Sequence, residues 1–342
     1  MTAAETKTAT VPPLVVQRYG GLGDQLYMRP FVRRLCERVA EKGQDVYVPT
    51  AWLDHWWGFP RNLVLVADGM NLWLQVNALG KSDAARSYPT DQDGNLLRVV
   101  RLFPWMVNRW VAMGFQLIFH GSDDSMVQCI QASCGVEDWR PEDFRLALRP
   151  EWVEAARVML AVLGVDPAET AFVQPPTIRT SWPSTSRTPD PGVWRRAVAV
   201  LRRRGYRVVA HGFLNDVHEK LADGIDASTW DLGTMDGRYP WTTIAAAMRL
   251  CAVNLAPPCW CLAVAQAVGA RLFTVFGGMA QPSAYLDPRL PMDGIGWAAP
   301  DPFCHCGAMK HECAKAIPDV EEKLRQWLNA LASCGDALDV RR

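Results

Sequence analysis

The pattern of apolar and polar positions divides the chain into alternating strands and helices. Leu14-Val15-Val16 is a short apolar run that reads as a buried strand, and it leads into the turn Gly20-Gly21-Leu22-Gly23-Asp24. Apolar residues then recur at Leu26, Phe31, Val32, Leu35 and Val39, close to the period of one helix face. Residues 45–48 and 63–66 predict further parallel strands, while 71–100 show no clear period. Residues 102–119 are apolar and aromatic, and a buried helix is predicted there. A helix is expected over 151–163, ended by Gly164. The alternation then resumes with strands at 171–173, 207–210, 252–255 and 271–276 and helices at 193–204, 241–250 and 261–268. Val320, Leu324, Trp327, Leu328 and Leu331 give a last helix one apolar face.

Strand, glycine turn and helix form the first unit of a doubly wound α/β domain, whose ligands collect beyond the carboxyl ends of the strands. The pattern occurs twice. It predicts a tail at 1–12, a Rossmann-like domain at 13–160, a second at 161–315 and a closing helix and tail at 316–342. Two such domains imply a cleft between them. In the first turn, glycines allow close backbone approach to a ligand, and a helix N-terminus favours negative charge. Asp24 there either caps the helix or faces a substrate.

Composition narrows the classes of function. The 342 residues are 49% hydrophobic and 21% charged, as in a globular protein with substantial cores. Lysine plus arginine total 36, as do aspartate plus glutamate, so no global basic field exists to hold nucleic acid. No apolar run is long enough for a membrane span, and ten scattered cysteines suit a reduced, cytoplasmic protein. Six tryptophans crowd between residues 50 and 110: Trp52, Trp56, Trp57, Trp73, Trp105 and Trp110.

The turn ending in Gly23-Asp24, with Pro30 six residues on, resembles the N-terminal signature of the heptosyltransferase-like, family 9 glycosyltransferases. Residues 231–234 (DLGT), a helix, and then CAVNLAPPCWCLAVAQAVGARLFTVFGG follow that family's donor-domain order of segments. The resemblance implies the two-domain GT-B fold, with a C-terminal helix crossing back to the first domain. It also implies an inverting, metal-independent transfer from a nucleotide-diphosphate sugar. Asp24 matches the family's base, beside the glycine loop Gly20, Gly21 and Gly23. Arg179 and Arg187 fall in the loop that would neutralise the diphosphate, since guanidinium forks match phosphate oxygens. Gly212, Thr234, Pro258, Cys259, Trp260 and Cys261 complete the expected donor side. Where the family has a polar Asp-Ser/Thr-Gly and a histidine, this chain has Pro258-Cys259-Trp260 and Ala263, so the donor's identity does not carry over.

Two acceptors stay open. A saccharide follows from the resemblance. A flipped base of hydroxymethylated DNA is the alternative, with Arg98, Arg101 and Arg109 on phosphates and Trp56, Trp57 or Trp105 stacking. A non-catalytic sugar- or nucleotide-binding module is the reading from another class. Cys304, Cys306, His311 and Cys313 provide four ligands for a structural zinc, or else reduced thiols that pack a loop. A monomer or small homo-oligomer is expected.

Overall fold

The computed structural model describes residues 14–18, 21–50, 52–67, 92–95, 98–100, 109–113, 123–179, 187–212, 219–225, 232–234, 239–303 and 316–338. The first sheet comprises β1 (Leu14–Arg18), β2 (Val46–Thr50), β3 (Leu63–Ala67), β4 (Arg98–Val100) and β5 (Arg109–Met113). Its order is β4-β3-β2-β1-β5, and every pairing is parallel. Helix α1 (Leu22–Ala40) follows β1 and buries Leu26, Tyr27, Phe31, Val32 and Leu35, the positions its period selects together with Tyr27. Full burial of a side chain such as Leu26 or Phe31 contributes about 1.5–3 kcal/mol, which lets the helix run through Pro30 despite the missing N–H.

The 109–113 stretch corrects an expectation. It is a strand, hydrogen-bonded along all of β1 from Leu14↔Arg109 to Arg18↔Met113. A continuous apolar run carries no period that separates a buried strand from a buried helix, and here pairing with β1 decides.

Helix α2 (Met126–Cys134) has a reciprocal cap: Gln128 N donates to Ser125 Oγ at 3.1 Å, and Ser125 N donates to Gln128 Oε1 at 2.6 Å. Gly135, at φ 66°, ends it in the left-handed conformation that glycine adopts without strain. Helix α3 (Pro150–Val162) then leads into the second sheet and packs on α5 (Trp241–Leu250).

The second sheet holds β6 (Thr170–Val173), β8 (Arg207–His211), β10 (Leu232–Thr234), β11 (Val253–Ala256), β12 (Leu272–Val275) and β13 (Ile295–Ala298). All are parallel, in the order β10-β8-β6-β11-β12-β13. Counted within the domain this is the dinucleotide-fold order, third-second-first-fourth-fifth-sixth, with its switch point between β6 and β11. Short β7 (Thr177–Arg179) and β9 (Glu219–Leu221) pair antiparallel beside it. Helices α4 (Pro191–Arg203), α6 (Trp260–Val268), α7 (Pro282–Tyr285) and α8 (Val320–Leu338) complete the described elements.

One apolar core runs without a break from the first sheet through α1 into α5 and α6, so the two domains share a largely apolar seam. The core on the other face of the second sheet is closed by α4 and α8. Here the closing helix departs from what the resemblance implies. Val320, Leu324 and Leu328 of α8 lie in this second-domain core, against α4 and β13, so the described part of α8 stays on its own domain. Arg203 and Arg204 of the α4 end bind Glu321 and Asn329, which fixes the helix there.

Candidate active site

The carboxyl ends of both sheets and the N-termini of α1 and α6 meet in one region. Gly21 precedes α1, and its N–H donates to Asp24 Oδ2 at 2.5 Å, so this carboxylate caps its own helix. Helix α6 begins after Cys259, which makes no side-chain cap. The two N-termini abut, because a Cβ built on Gly23 would lie 2.9 Å from Trp260 Cα. Only glycine permits that approach. Asp24, Cys259 and the phenols of Tyr27 and Tyr285 are close enough to sense one another's charge, and loss of water, reinforced by these neighbours, raises both phenols above their ordinary value. Arg187 acts in the opposite direction on Tyr285.

A cleft of about 460 Å³ lies against the switch point of the second sheet, lined by Gln174, Thr177, Arg187, Thr188, Pro257, Pro258, Cys259 and Trp260. A smaller recess of about 200 Å³ shares Arg187 and Pro258 with it and adds Gly277, Met279, Ala280 and Tyr285. Arg187 therefore stands between the two. The main cleft has a cation on one side and the amides of an N-terminus on the other, which is chemistry for an anion such as a phosphate.

Behind Trp260 the site is built from β8. His211, at its carboxyl end, stacks on Phe172 with centroids 4.2 Å apart and meets the Trp260 ring edge-on at 6.0 Å. Burial pushes the imidazole down to about 3, so it is neutral at pH 7. Gly212 follows, beside the Gln174 amide, and Gln174 Oε1 accepts from the Cys261 thiol at 3.8 Å. Thr234 pairs with His211 at the same sheet end.

The sequence-predicted residues thus divide. Arg187, Pro258, Cys259 and Trp260 line the cleft, and Gly212 and Cys261 lie against Gln174 of its lining. Gly21, Gly23 and Asp24 stand at the α1 start that abuts Trp260, and Thr234 is paired with His211 one strand further out. Arg179 ends β7, paired with Glu219. Of the expected acceptor residues, two described side chains, Trp56 and Trp57, are engaged elsewhere. Trp56 is fully buried, edge-on to Phe59, with its Nε1 donating to Thr50 Oγ1 at 3.3 Å, so it is core. Trp57 has the Arg149 guanidinium 3.6 Å from its ring centroid, which occupies that face. Arg98 and Arg109 are the first residues of β4 and β5, the two edge strands, at the amino ends of the sheet. They stand some four strand spacings apart, roughly 19 Å, and away from the carboxyl ends where the cleft lies. Gly20, Arg101, Trp105 and the cluster Cys304, Cys306, His311 and Cys313 lie outside the described residues. Among the described residues no three His, Cys, Asp or Glu side chains are grouped to hold a metal ion, and no helix is long and apolar enough to cross a membrane.

Sequence reading missed Gln174, His211 and Tyr285. Gln174 directly follows β6 and His211 ends β8, so the rule that ligands collect at strand carboxyl ends was the signal that could have found them.

No family model matches the sequence, and no curated protein does. Solved structures do match in fold. The glycosyl transferase family 9 protein of Veillonella parvula DSM 2008 superposes with a TM-score of 0.56 at 15% identity, over 94% of this chain and 97% of that one. E. coli ADP-heptose lps heptosyltransferase II gives 0.50 at 12% identity, over 95% and 99%. The iron-containing dodecameric glycosyltransferase TibC from enterotoxigenic E. coli H10407 gives 0.50 at 13%, over 94% of this chain and 76% of that one. At such identities the likeness is one of architecture. The chain has the GT-B fold, with the two Rossmann-like domains of the family 9 glycosyltransferases.

Proposed function

We propose that the protein is an inverting, metal-independent glycosyltransferase that moves a sugar from a nucleotide-diphosphate donor to a hydroxyl of a saccharide acceptor. The observation that carries this reading is the meeting of a carboxylate on one domain, Asp24, with an anion-binding helix start and Arg187 on the other. In displacement at an anomeric carbon, a base takes the acceptor proton while positive groups stabilise the leaving diphosphate. Asp24 is the base. Arg187 and the amides beginning α6 receive the diphosphate, and the cleft between Gln174 and Trp260 takes the nucleoside. The recess beyond Arg187, near Tyr285, takes the sugar. Such an enzyme works in the cytoplasm, where nucleotide sugars are made.

DNA is the weaker acceptor reading, because the edge-strand positions of Arg98 and Arg109 set them apart from one another and from the cleft. The test incubates the protein with labelled nucleotide sugars against glycan acceptors and against plain and hydroxymethylated duplexes. Transfer to a glycan alone is expected. Incorporation only into the hydroxymethylated duplex would replace the saccharide by DNA, and nucleotide binding without transfer to any acceptor would leave a binding module.

A further inference from the structure

Between α1 and α6 the seam carries a directional bond near the site, and a backbone bond from Leu146 N to Ala267 O, 3.0 Å long, also joins the domains. Tyr27 Oη donates to Gln266 Oε1 at 2.9 Å, joining residues 239 positions apart, one on each domain. Both side chains are almost fully buried, at 2% and 1% exposure. Gln266 Nε2 then donates to the Tyr285 carbonyl at 3.4 Å, and the Tyr27 and Tyr285 rings lie 6.5 Å apart. The contacts form a stripe along two helices running side by side in the same direction. Gly23 meets Trp260 and Ala263 at the N-terminal end, and Tyr27 meets Gln266 about one turn further on. Tyr27 stands three residues after Asp24, Gln266 three after Ala263, so each pair shares a helix face with the site above it.

The stripe also includes the close contact of Gly23 with Trp260 and Ala263, which is small or apolar. Apolar packing is non-directional, and a slide of one residue along a helix moves every group on it by about 1.5 Å. A buried hydrogen bond has one satisfied geometry, and breaking it leaves a desolvated polar group.

We propose that Tyr27 and Gln266 are positioning residues for group transfer: their bond sets the register of α1 against α6 and so holds the Asp24 carboxylate at a fixed distance from the diphosphate site. Neither touches the reacting atoms. This rests on the glycosyltransferase reading, and it adds a role for two residues that the reading does not require.

The experiment compares Tyr27→Phe, Gln266→Leu and the double variant by melting temperature, nucleoside diphosphate affinity, kcat, and the alkylation rate of half-buried Cys259 followed by peptide mass spectrometry. Tyr27→Phe strands Gln266 Oε1, Gln266→Leu strands Tyr27 Oη and also removes the donor to the Tyr285 carbonyl, and both lower the melting temperature. The double change removes both partners of this bond and recovers part of the loss, the Tyr285 carbonyl being left without the Gln266 donor. In the double variant kcat stays at least about tenfold low, since a misplacement near 1 Å can cost up to ~100-fold, while diphosphate affinity is unchanged. Cys259 alkylation rises in all three as the junction of the helix starts loosens. A purely structural bond predicts that kcat returns with the melting temperature in the double variant, and that result overturns the proposal. If the wild type binds nucleoside diphosphates but transfers no sugar, the enzymatic reading falls by itself. The alkylation rate of the double variant then decides alone: raised, the register role stands; at the wild-type value, it is refuted.

Discussion

Helices α1 and α6 start side by side, yet their N-termini are finished differently. The α1 start carries its own anion, with Asp24 accepting from the Gly21 N–H. The α6 start, after Cys259, has no side-chain cap and faces the cleft that Arg187 lines. A helix start concentrates partial positive charge, so a carboxylate complements the first and an anionic ligand suits the second. On the proposed reading the difference is a division of labour: the capped start would hold a carboxylate for an acceptor hydroxyl, and the start without a side-chain cap would receive the leaving anion.

The most direct way to break this contrast is to cap the open helix. Cys259→Asp places a carboxylate at an N-cap with extended backbone, φ −144° and ψ −165°, the geometry that capping needs. Nucleoside diphosphate affinity, measured by calorimetry, should fall by roughly 1.5–3 kcal/mol, because charge-assisted bonds are lost and like charge is added. The melting temperature should rise, as a new cap contributes about 0.5–2 kcal/mol. Undiminished affinity would place the diphosphate elsewhere.

A smaller effect sharpens the same comparison from behind. His211 supports Trp260 as a neutral ring, and its folded value of about 3 lies below the ordinary 6.5. The unfolded chain therefore binds the extra proton first as pH falls. The contribution of His211 to stability is complete above pH 6.5 and is lost on the way down toward pH 3, by up to about 1.4 kcal/mol per pH unit. His211→Phe keeps the stacking and removes the titration, so its melting temperature should fall less between pH 7.5 and 5 than that of the wild type. Equal falls would mean that the imidazole is already solvated.

Much of this architecture was legible in the residues. The Leu14–Arg18 strand and the helix that begins at Leu22 followed from an apolar run, glycines and a 3.6-residue period, all local signals. So did β6, α4, β8, α5, β11, α6 and β12, because strands buried on both faces read as short apolar blocks. The failures were non-local. Residues 109–113 became a strand through pairing with β1, nearly a hundred residues earlier, and no periodicity encodes a partner. Trp56 looked like a stacking surface until Phe59 and Thr50 closed around it. The Arg98 and Arg109 positions looked like one basic patch until sheet order put them on opposite edges. At the site, Asp24 and Arg187 could be chosen from a resemblance, but the Tyr27–Gln266 bond could not, since nothing near either residue names the other.

The central claim is that Asp24 serves the acceptor side while the start of α6 serves the donor. Asp24→Asn tests it most directly, because the amide keeps the volume and an oxygen to accept from Gly21 while giving up the basicity. Turnover with the best donor and acceptor should drop by roughly 100-fold or more, with nucleoside diphosphate affinity and melting temperature near wild-type values. Turnover within a few-fold of wild type would contradict the account and leave Asp24 as a helix cap alone.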